Sequence, residues 1–365
     1  MAKTFVKKHM IIFQQMKSMK KLILCFLLLL LSNKNQFGQC QLDDDYVKLC
    51  SNIESLIFNE NFADADNKIN DLLKTHPNES KYHFLKSMLN YWKTLVFADN
   101  KSMEDEFLKS IENSINLASH EYEKDKYNAC SNFILGAAYG YKGIYYMDHK
   151  SMFSAIKNAS NGLDFINNSL KLNPSNIDCY YGLGIYNYNA GSANFLIRLI
   201  LPIFFQSADK EKGIKYLESV CKKGKLSKDN AAFTLALIYD KEGNYDKSRD
   251  YLSKLHSKYP NSSIFTVYLM QNYFNIKKNY KKVIQVGQSY YDANNDSKIN
   301  SKRMTGMICF FLAHSYEFTG DYANALLFME KYLNNSKNGK NDKHAREMIA
   351  VYKEKIKAQK ESENY

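Results

Sequence analysis

Eight histidines and seven cysteines are the residues of this chain best suited to hold a metal or attack a substrate. Their spacing argues against both uses. His76, His83, His120, His149, His256, His314 and His344 share no HExxH or other ligand spacing. The cysteines after Cys25, at 40, 50, 130, 179, 221 and 309, form no CxxC pair and suit small apolar core positions, with one or two disulfides as the alternative. There is no GxSxG, no glycine-rich phosphate loop and no tight pair of carboxylates. The expectation is a non-enzymatic protein without catalytic residues, metal or cofactor.

Binding is the remaining chemistry, and the elements that would position it are helical. Residues 229–262 read DNAAFTLALIYDKEGNYDKSRDYLSKLHSKYPNS, with Leu235-Ala236, Tyr239, a Gly243-Asn244-Tyr245 turn, Ser248, Leu252 and Pro260. This resembles the tetratricopeptide repeat, in which a small residue on one helix lets the next approach closely and a glycine-containing turn reverses the chain. A second good match runs from 306 to 334, through Cys309, Leu312-Ala313, Tyr316, Gly320-Asp321-Tyr322, Ala325 and Met329. Four weaker units begin near Leu49, Asn132, Tyr180 and Val267, with Leu269 falling 34 residues after Leu235. The resemblance implies an all-α, right-handed α-α superhelix of antiparallel helix pairs over residues 39–365, built from six repeat units. The stripe Ala345, Met348, Ile349, Tyr352 and Ile356 predicts a capping helix over 342–360.

Two units are stretched. Leu135 to Leu183 spans 48 residues and Leu183 to Leu235 spans 52. The second excess is an insertion at 193–209, whose apolar run ANFLIRLILPIFFQSA lies between expected helices at 178–190 and 210–222. It is too short for a bilayer span, which needs ~20 apolar residues, and Pro202 would kink it. Phe195, Leu196, Leu199, Pro202, Phe204 and Phe205 would therefore plug the superhelix, wall a pocket or dock a partner, or touch a membrane. The stretch GLGIYNYNAGSANFLIRLILPIFFQSADKEKGIKYLESVCKKGK resembles a subgroup of exported bacterial tetratricopeptide proteins. It is also similar to a eukaryotic tetratricopeptide family associated with the mitochondrial outer membrane and lipid-droplet clearance. These resemblances imply a binding scaffold and bring no catalytic residues.

In such repeats the first helix of each pair lines the concave face. Candidate partner-binding residues there are Tyr181, Tyr188, Phe233, Asp240, Lys241, Phe274, Phe310 and Phe318, with Phe133, Tyr141, Ile185 and His314 on the same faces. Large aromatics with a few charges suit a peptide or a partner helix. With 28 tyrosines and 22 phenylalanines, aromatics fall on every face, so the same residues also suit the core.

The formal charge of +12 includes seven lysines within residues 1–38, which leaves +5 for the rest. Only Arg198, Arg249, Arg303 and Arg346 are arginines, so recognition of nucleic acid is not expected. Residues 1–38 have the order of a secretory signal: Lys17, Lys20 and Lys21, an apolar core from Leu22 to Leu31, then a polar region ending near Gly38. Met16 or Met19 would each give a more ordinary start. An exported protein of the periplasm or outer envelope is expected, not integral to the membrane but able to associate with its surface. Lipid or small-molecule binding through 193–208 is the alternative function. The oligomeric state is not legible here.

Overall fold

The computed structural model describes residues 44–192, 208–276, 278–294, 301–335 and 341–363. The expected leader at 1–38 and the insertion residues 193–207, including Phe195, Leu196, Leu199, Pro202, Phe204 and Phe205, lie outside the described residues. Fifteen helices and no strand occur among the described residues. They run α1 Asp44–Phe58, α2 Phe62–Thr75, α3 Ser80–Val96, α4 Lys101–Lys124, α5 Ala129–Asp148, α6 Met152–Leu172, α7 Cys179–Gly191 and α8 Lys210–Lys223. The chain continues through α9 Lys228–Lys241, α10 Tyr245–Lys258, α11 Ser263–Asn275, α12 Tyr280–Asn294, α13 Lys302–Phe318, α14 Tyr322–Asn335 and α15 Asn341–Glu363. This is the expected all-α superhelix of antiparallel pairs. It contains seven pairs, one more than the repeat pattern gave, and the additional one is α3–α4.

Local sequence explains the helix starts. Asparagine, abundant in this chain, repeatedly serves as the cap: Asn100 accepts from Met103 N, Asn128 from Cys130 N and Ser131 N, and Asn244 from Lys247 N. Asp209, Ser262 and Ser301 do the same for α8, α11 and α13. Each cap satisfies backbone donors that the first helical turn leaves free. A left-handed residue turns the chain between the helices of a pair at Glu60, Asp99, Lys150, Gly243, Lys278 and Gly320. Only two of these six positions hold the glycine that accepts such a backbone without strain.

Small residues set the helix crossings. A Cβ at Gly213 of α8 would lie 2.5 Å from Tyr188 N and 2.7 Å from Gly184 O of α7. At Gly162 of α6 it would lie 3.0 Å from Gly136 O of α5. Ala236 and Ser248 are fully buried in the α9–α10 pair. The cap α15 seats Ala345 and Tyr352 in the core while Val351 stays exposed. Cys130 is disulfide-bonded, and Cys50, Cys179, Cys221 and Cys309 are free.

The superhelix curls until its beginning meets its own later pairs. Phe58 of α1 packs 5.0 Å from Tyr259 and 5.6 Å from Phe265, and Trp92 of α3 lies 6.0 Å from Phe233 and 5.9 Å from Phe265. One hydrophobic core accordingly joins residues of α1–α3 to residues of α10–α15. Polar contacts follow the same seam. Glu60, only 4% exposed, accepts from Ser263 N and Ser263 Oγ, and Asn59 accepts from Asn261 N. The result is a ring closed between the first two pairs and the fifth and sixth. Its inner cavity is lined by the first helices α1, α3, α5 and α7 together with residues of the second helices α6 and α8.

Candidate binding site inside the ring

The closed ring changes what the concave face offers. A cavity of about 820 Å3 opens on its inner side, and its described lining includes Ile53 and Glu54 of α1, Phe84 of α3, Tyr141 of α5, Leu163 of α6 and Tyr181 of α7. Glu54 is half-buried by accessible surface yet surrounded by protein, as befits a group that faces an internal cavity. Its Oε1 accepts from Asn230 Nδ2 at 2.8 Å. Burial holds the carboxyl well above the usual range, the charges of Asp229 and Asp178 add to this, and Lys258 opposes it.

Tyrosines surround that acid. Tyr141 is 8% exposed, lines the cavity and makes no hydrogen bond through its hydroxyl among the described residues. Its ring meets Tyr91 edge-on at 5.2 Å and Phe84 at 5.6 Å. Tyr181 shares a hydrogen bond with Thr234 at 3.3 Å, and burial pushes its phenol up to about 12. Tyr141 packs against Tyr91, whose hydroxyl donates to Asp148 Oδ2 at 3.4 Å, and Tyr268 lies 5.4 Å from Phe233. Asp148 and Asp240 both have carboxyls raised by burial, and both act on the Tyr268 phenol, which Arg303 counters.

The eight expected partner-binding residues fall into four groups with no ring contact between the groups among the described residues. Tyr181 lines the cavity, and Asp240 acts on the Tyr268 phenol. Phe233 is held in the seam against Trp92 and Phe265. Tyr188 is 3% exposed, within a core cluster with Leu217, Ala231 and Leu235, and so is not a groove residue. The close Gly184–Gly213 crossing draws α8 over it, its hydroxyl donates to Glu242, and Lys241 sits 5.4 Å above its ring. Phe274, Phe310 and Phe318 gather at the far end. There Phe318 is 57% exposed and stacks on Tyr280 at 4.4 Å, while Phe310 packs 5.5 Å from Tyr332.

Glu54 is a lining residue that the sequence reading missed, and Tyr91, Asp148 and Tyr268, which act on one another near Tyr181, were missed as well. Tyr268 directly precedes Leu269, so a register shift of one position on a recognised repeat would have found it. Tyr91 lies in the pair that carried no repeat signal. Among the described residues no group of three or more His, Cys, Asp or Glu could hold a metal ion.

A family model described as regulator of microtubule dynamics protein 1-3 matches residues 53–264, more than half of the chain. The chain belongs to this family. The match begins one residue before Glu54 and ends inside α11, so the regulator of microtubule dynamics region contains most of the inner wall and both sides of the seam. A tetratricopeptide-repeat model matches residues 308–338, over α13 and α14. Such repeats are generally non-catalytic and serve as scaffolds for protein or peptide partners. No curated protein matches the chain.

Several solved structures are similar at low identity. The C-terminal part of a TPR repeat-containing protein from Cytophaga hutchinsonii is 15% identical, with 81% of this chain and 98% of that one covered and a TM-score of 0.40. A tetratricopeptide repeat protein from Parabacteroides merdae is 12% identical, with 85% and 99% covered and a TM-score of 0.33. The human IFIT1 dimer with m7Gppp-AAAA is 13% identical, with 80% and 68% covered and a TM-score of 0.44.

Proposed function

We propose that this protein is a non-enzymatic interaction scaffold that holds a segment of a protein partner against the inner wall of its ring. The observation that carries this reading is the cavity itself, on to which the Tyr141 hydroxyl, without a hydrogen bond among the described residues, and the Glu54 carboxyl both open. An arriving peptide would supply the missing partners while the neighbouring rings take its side chains. The family is named for microtubule dynamics, and from that name we carry over only action through bound protein partners. The wall is tested by placing a photo-crosslinking amino acid at Tyr141 or Tyr181, and at the exposed Tyr127 as an outside control. Interior positions should capture a partner that the outside position does not; capture from Tyr127 alone would reject the reading.

The same cavity favours a second reading, an apolar small molecule or lipid, because Ile53, Phe84 and Leu163 are part of its wall. Native mass spectrometry of the purified chain would then show a bound apolar adduct that a Phe84→Asp change removes.

Export to the cell envelope belongs to the same proposal. The leader-like order of residues 1–38 and the bonded Cys130, which suits an oxidising compartment, support it. No described helix is long and apolar enough to cross a membrane. Recovery of the protein in a cytosolic fraction with Cys130 open to alkylation would argue against export.

A further inference from the structure

Of the seven cysteines in this chain, Cys130 is disulfide-bonded while Cys50, Cys179, Cys221 and Cys309 are free thiols. Burial pushes each of those four thiols up to about 12, which leaves almost no thiolate to enter exchange. A bond within the chain therefore closes on Cys25 or Cys40, which lie outside the described residues. Cys25 falls inside the apolar core of the leader-like segment, Leu22 to Leu31, whereas Cys40 follows the polar region that ends near Gly38. Residues 41–43 alone separate Cys40 from Asp44, so its α-carbon stands at most ~14 Å from the start of α1, and a disulfide adds ~6 Å to the partner's α-carbon. The start of α5 must then share a rim of the ring with the start of α1, and a run of polar contacts joins the two. Lys225 pairs with Asp44 at 3.5 Å, and its backbone N–H donates to Asp178 Oδ2 at 3.0 Å. Next to Asp178, the Cys179 thiol donates to Ser169 Oγ at 3.7 Å. Ser169 Oγ in turn donates at 2.8 Å to the carbonyl of Ala129, the residue before Cys130.

We propose that Cys40 and Cys130 form a disulfide that ties the entry to α1 to the first turn of α5 and so clamps two walls of the inner cavity. The choice of Cys40 rests on the export reading above, in which residues 1–38 are removed and Cys25 goes with them. The bond acts where the cavity is built: α1 supplies Tyr46 and Ile53 to its lining, and α5 supplies Phe133 and Tyr141. The covalent loop encloses α1 to α4, the two leading pairs, whose Phe58 and Trp92 close the seam. A cross-link around so long a loop restricts the unfolded chain more than a short one does, and it keeps α1 beside α5 whenever the seam opens. Closing the bond turns two thiols into one disulfide. The two electrons and two protons pass to a disulfide oxidant, which leaves as a dithiol, and a dithiol reductant reverses the step.

The test is peptide mapping by mass spectrometry of the protein produced in a secreting host from the full chain, with free thiols alkylated at lysis and digestion without reductant. One cross-linked pair of peptides should appear, Cys40 with Cys130, and Cys40→Ser should remove it; Cys50, Cys179, Cys221 and Cys309 should be alkylated only on denaturation. Cys130 joined to Cys25 overturns the pairing together with removal of the leader. Cys130 joined to any of the other four, or to a second chain, overturns the pairing and leaves export standing. A free Cys130 in exported protein does the same, and a free Cys130 in protein confined to the cytosol fails both readings. The clamp is read by hydrogen exchange over Asp44–Phe58. Reduction should speed exchange there at least threefold in the wild type and have no effect in Cys40→Ser, which should already exchange at the faster rate. Exchange in α1 that ignores both reduction and the substitution overturns the clamp.

Discussion

The second and third helix pairs and the fifth and sixth pairs share one topology and differ in length. Helices α3–α6 run 17 to 24 residues, and α9–α12 run 13 to 15. The added turns have a positional effect. Asp148 is the twentieth and last residue of α5, beyond the reach of a helix of ordinary repeat length, and there it meets the Tyr91 hydroxyl. Lengthening a repeat extends the inner wall, whereas the regular repeats α9 and α11 supply the surface on which the first pair closes.

If the long arc and the short arc are held together mainly at the seam, removing the seam's central ring should do the most damage. Phe58→Ala should cost ~3–5 kcal/mol in urea unfolding, the usual range for deleting a buried phenylalanine, and should increase the radius of gyration in small-angle scattering. Lost stability without expansion would mean that consecutive stacking alone keeps the ring closed.

The clasp at Glu60 should sharpen the same point through pH. Burial raises its carboxyl from 4.5 to about 7, against the opposing hydrogen bonds from Ser263 and Ile264. A pKa raised by folding contributes stability that is fully present below about 4.5 and is lost as pH rises through about 7. Relative to Glu60→Gln, the wild type should lose up to ~3 kcal/mol between these limits. Urea midpoints at pH 5 and pH 8 read this directly, and parallel profiles for the two proteins would remove Glu60 from the seam's energetics.

Overpacking compares the two arcs themselves. Gly162→Leu in the long pair and Ala236→Trp in the regular one should each destabilise by ~1–3 kcal/mol or more, because a close helix crossing has no room for new atoms. A thermal midpoint unchanged in Ala236→Trp would refute the repeat register, and one unchanged in Gly162→Leu would show that the long helices are loosely packed. The smallest effect is a gain. Lys278→Gly, at a left-handed turn that makes no seam contact, should stabilise by ~1 kcal/mol, whereas Glu60→Gly at the equivalent turn should destabilise.

Much of this architecture was legible because two turns kept glycine. Gly243 and Gly320 announced their repeats, while the same backbone turn at Glu60, Asp99 and Lys150 is written in residues that carry no such signal. The α3–α4 pair escaped notice because its fully buried small positions are Ser87 and Ser114, not the Leu-Gly or Leu-Ala pairs that mark the other units. Its absence from the reading hid Tyr91 and Trp92 together. The excess between Leu135 and Leu183, to which the repeat spacing assigned no element, is taken up by longer helices. Helical spacing assigned Tyr188 and Phe233 to the concave face, but spacing along one chain cannot reveal that other helices pack against them, Tyr188 in a core cluster and Phe233 against Trp92 and Phe265. Tyr181 lines the cavity.

The contact between Glu60 and Ser263 joins residues 203 positions apart. During synthesis, then, the ribosome must add some two hundred residues after Phe58 before Tyr259 and Phe265 exist to cover it. Throughout that interval the first four pairs present a bare aromatic edge to the surroundings, the kind of surface on which nascent chains aggregate. The most exposed moment in the life of this protein therefore falls before release, and a chaperone that shelters Phe58 and Trp92 would matter more to its yield than the strength of any single repeat.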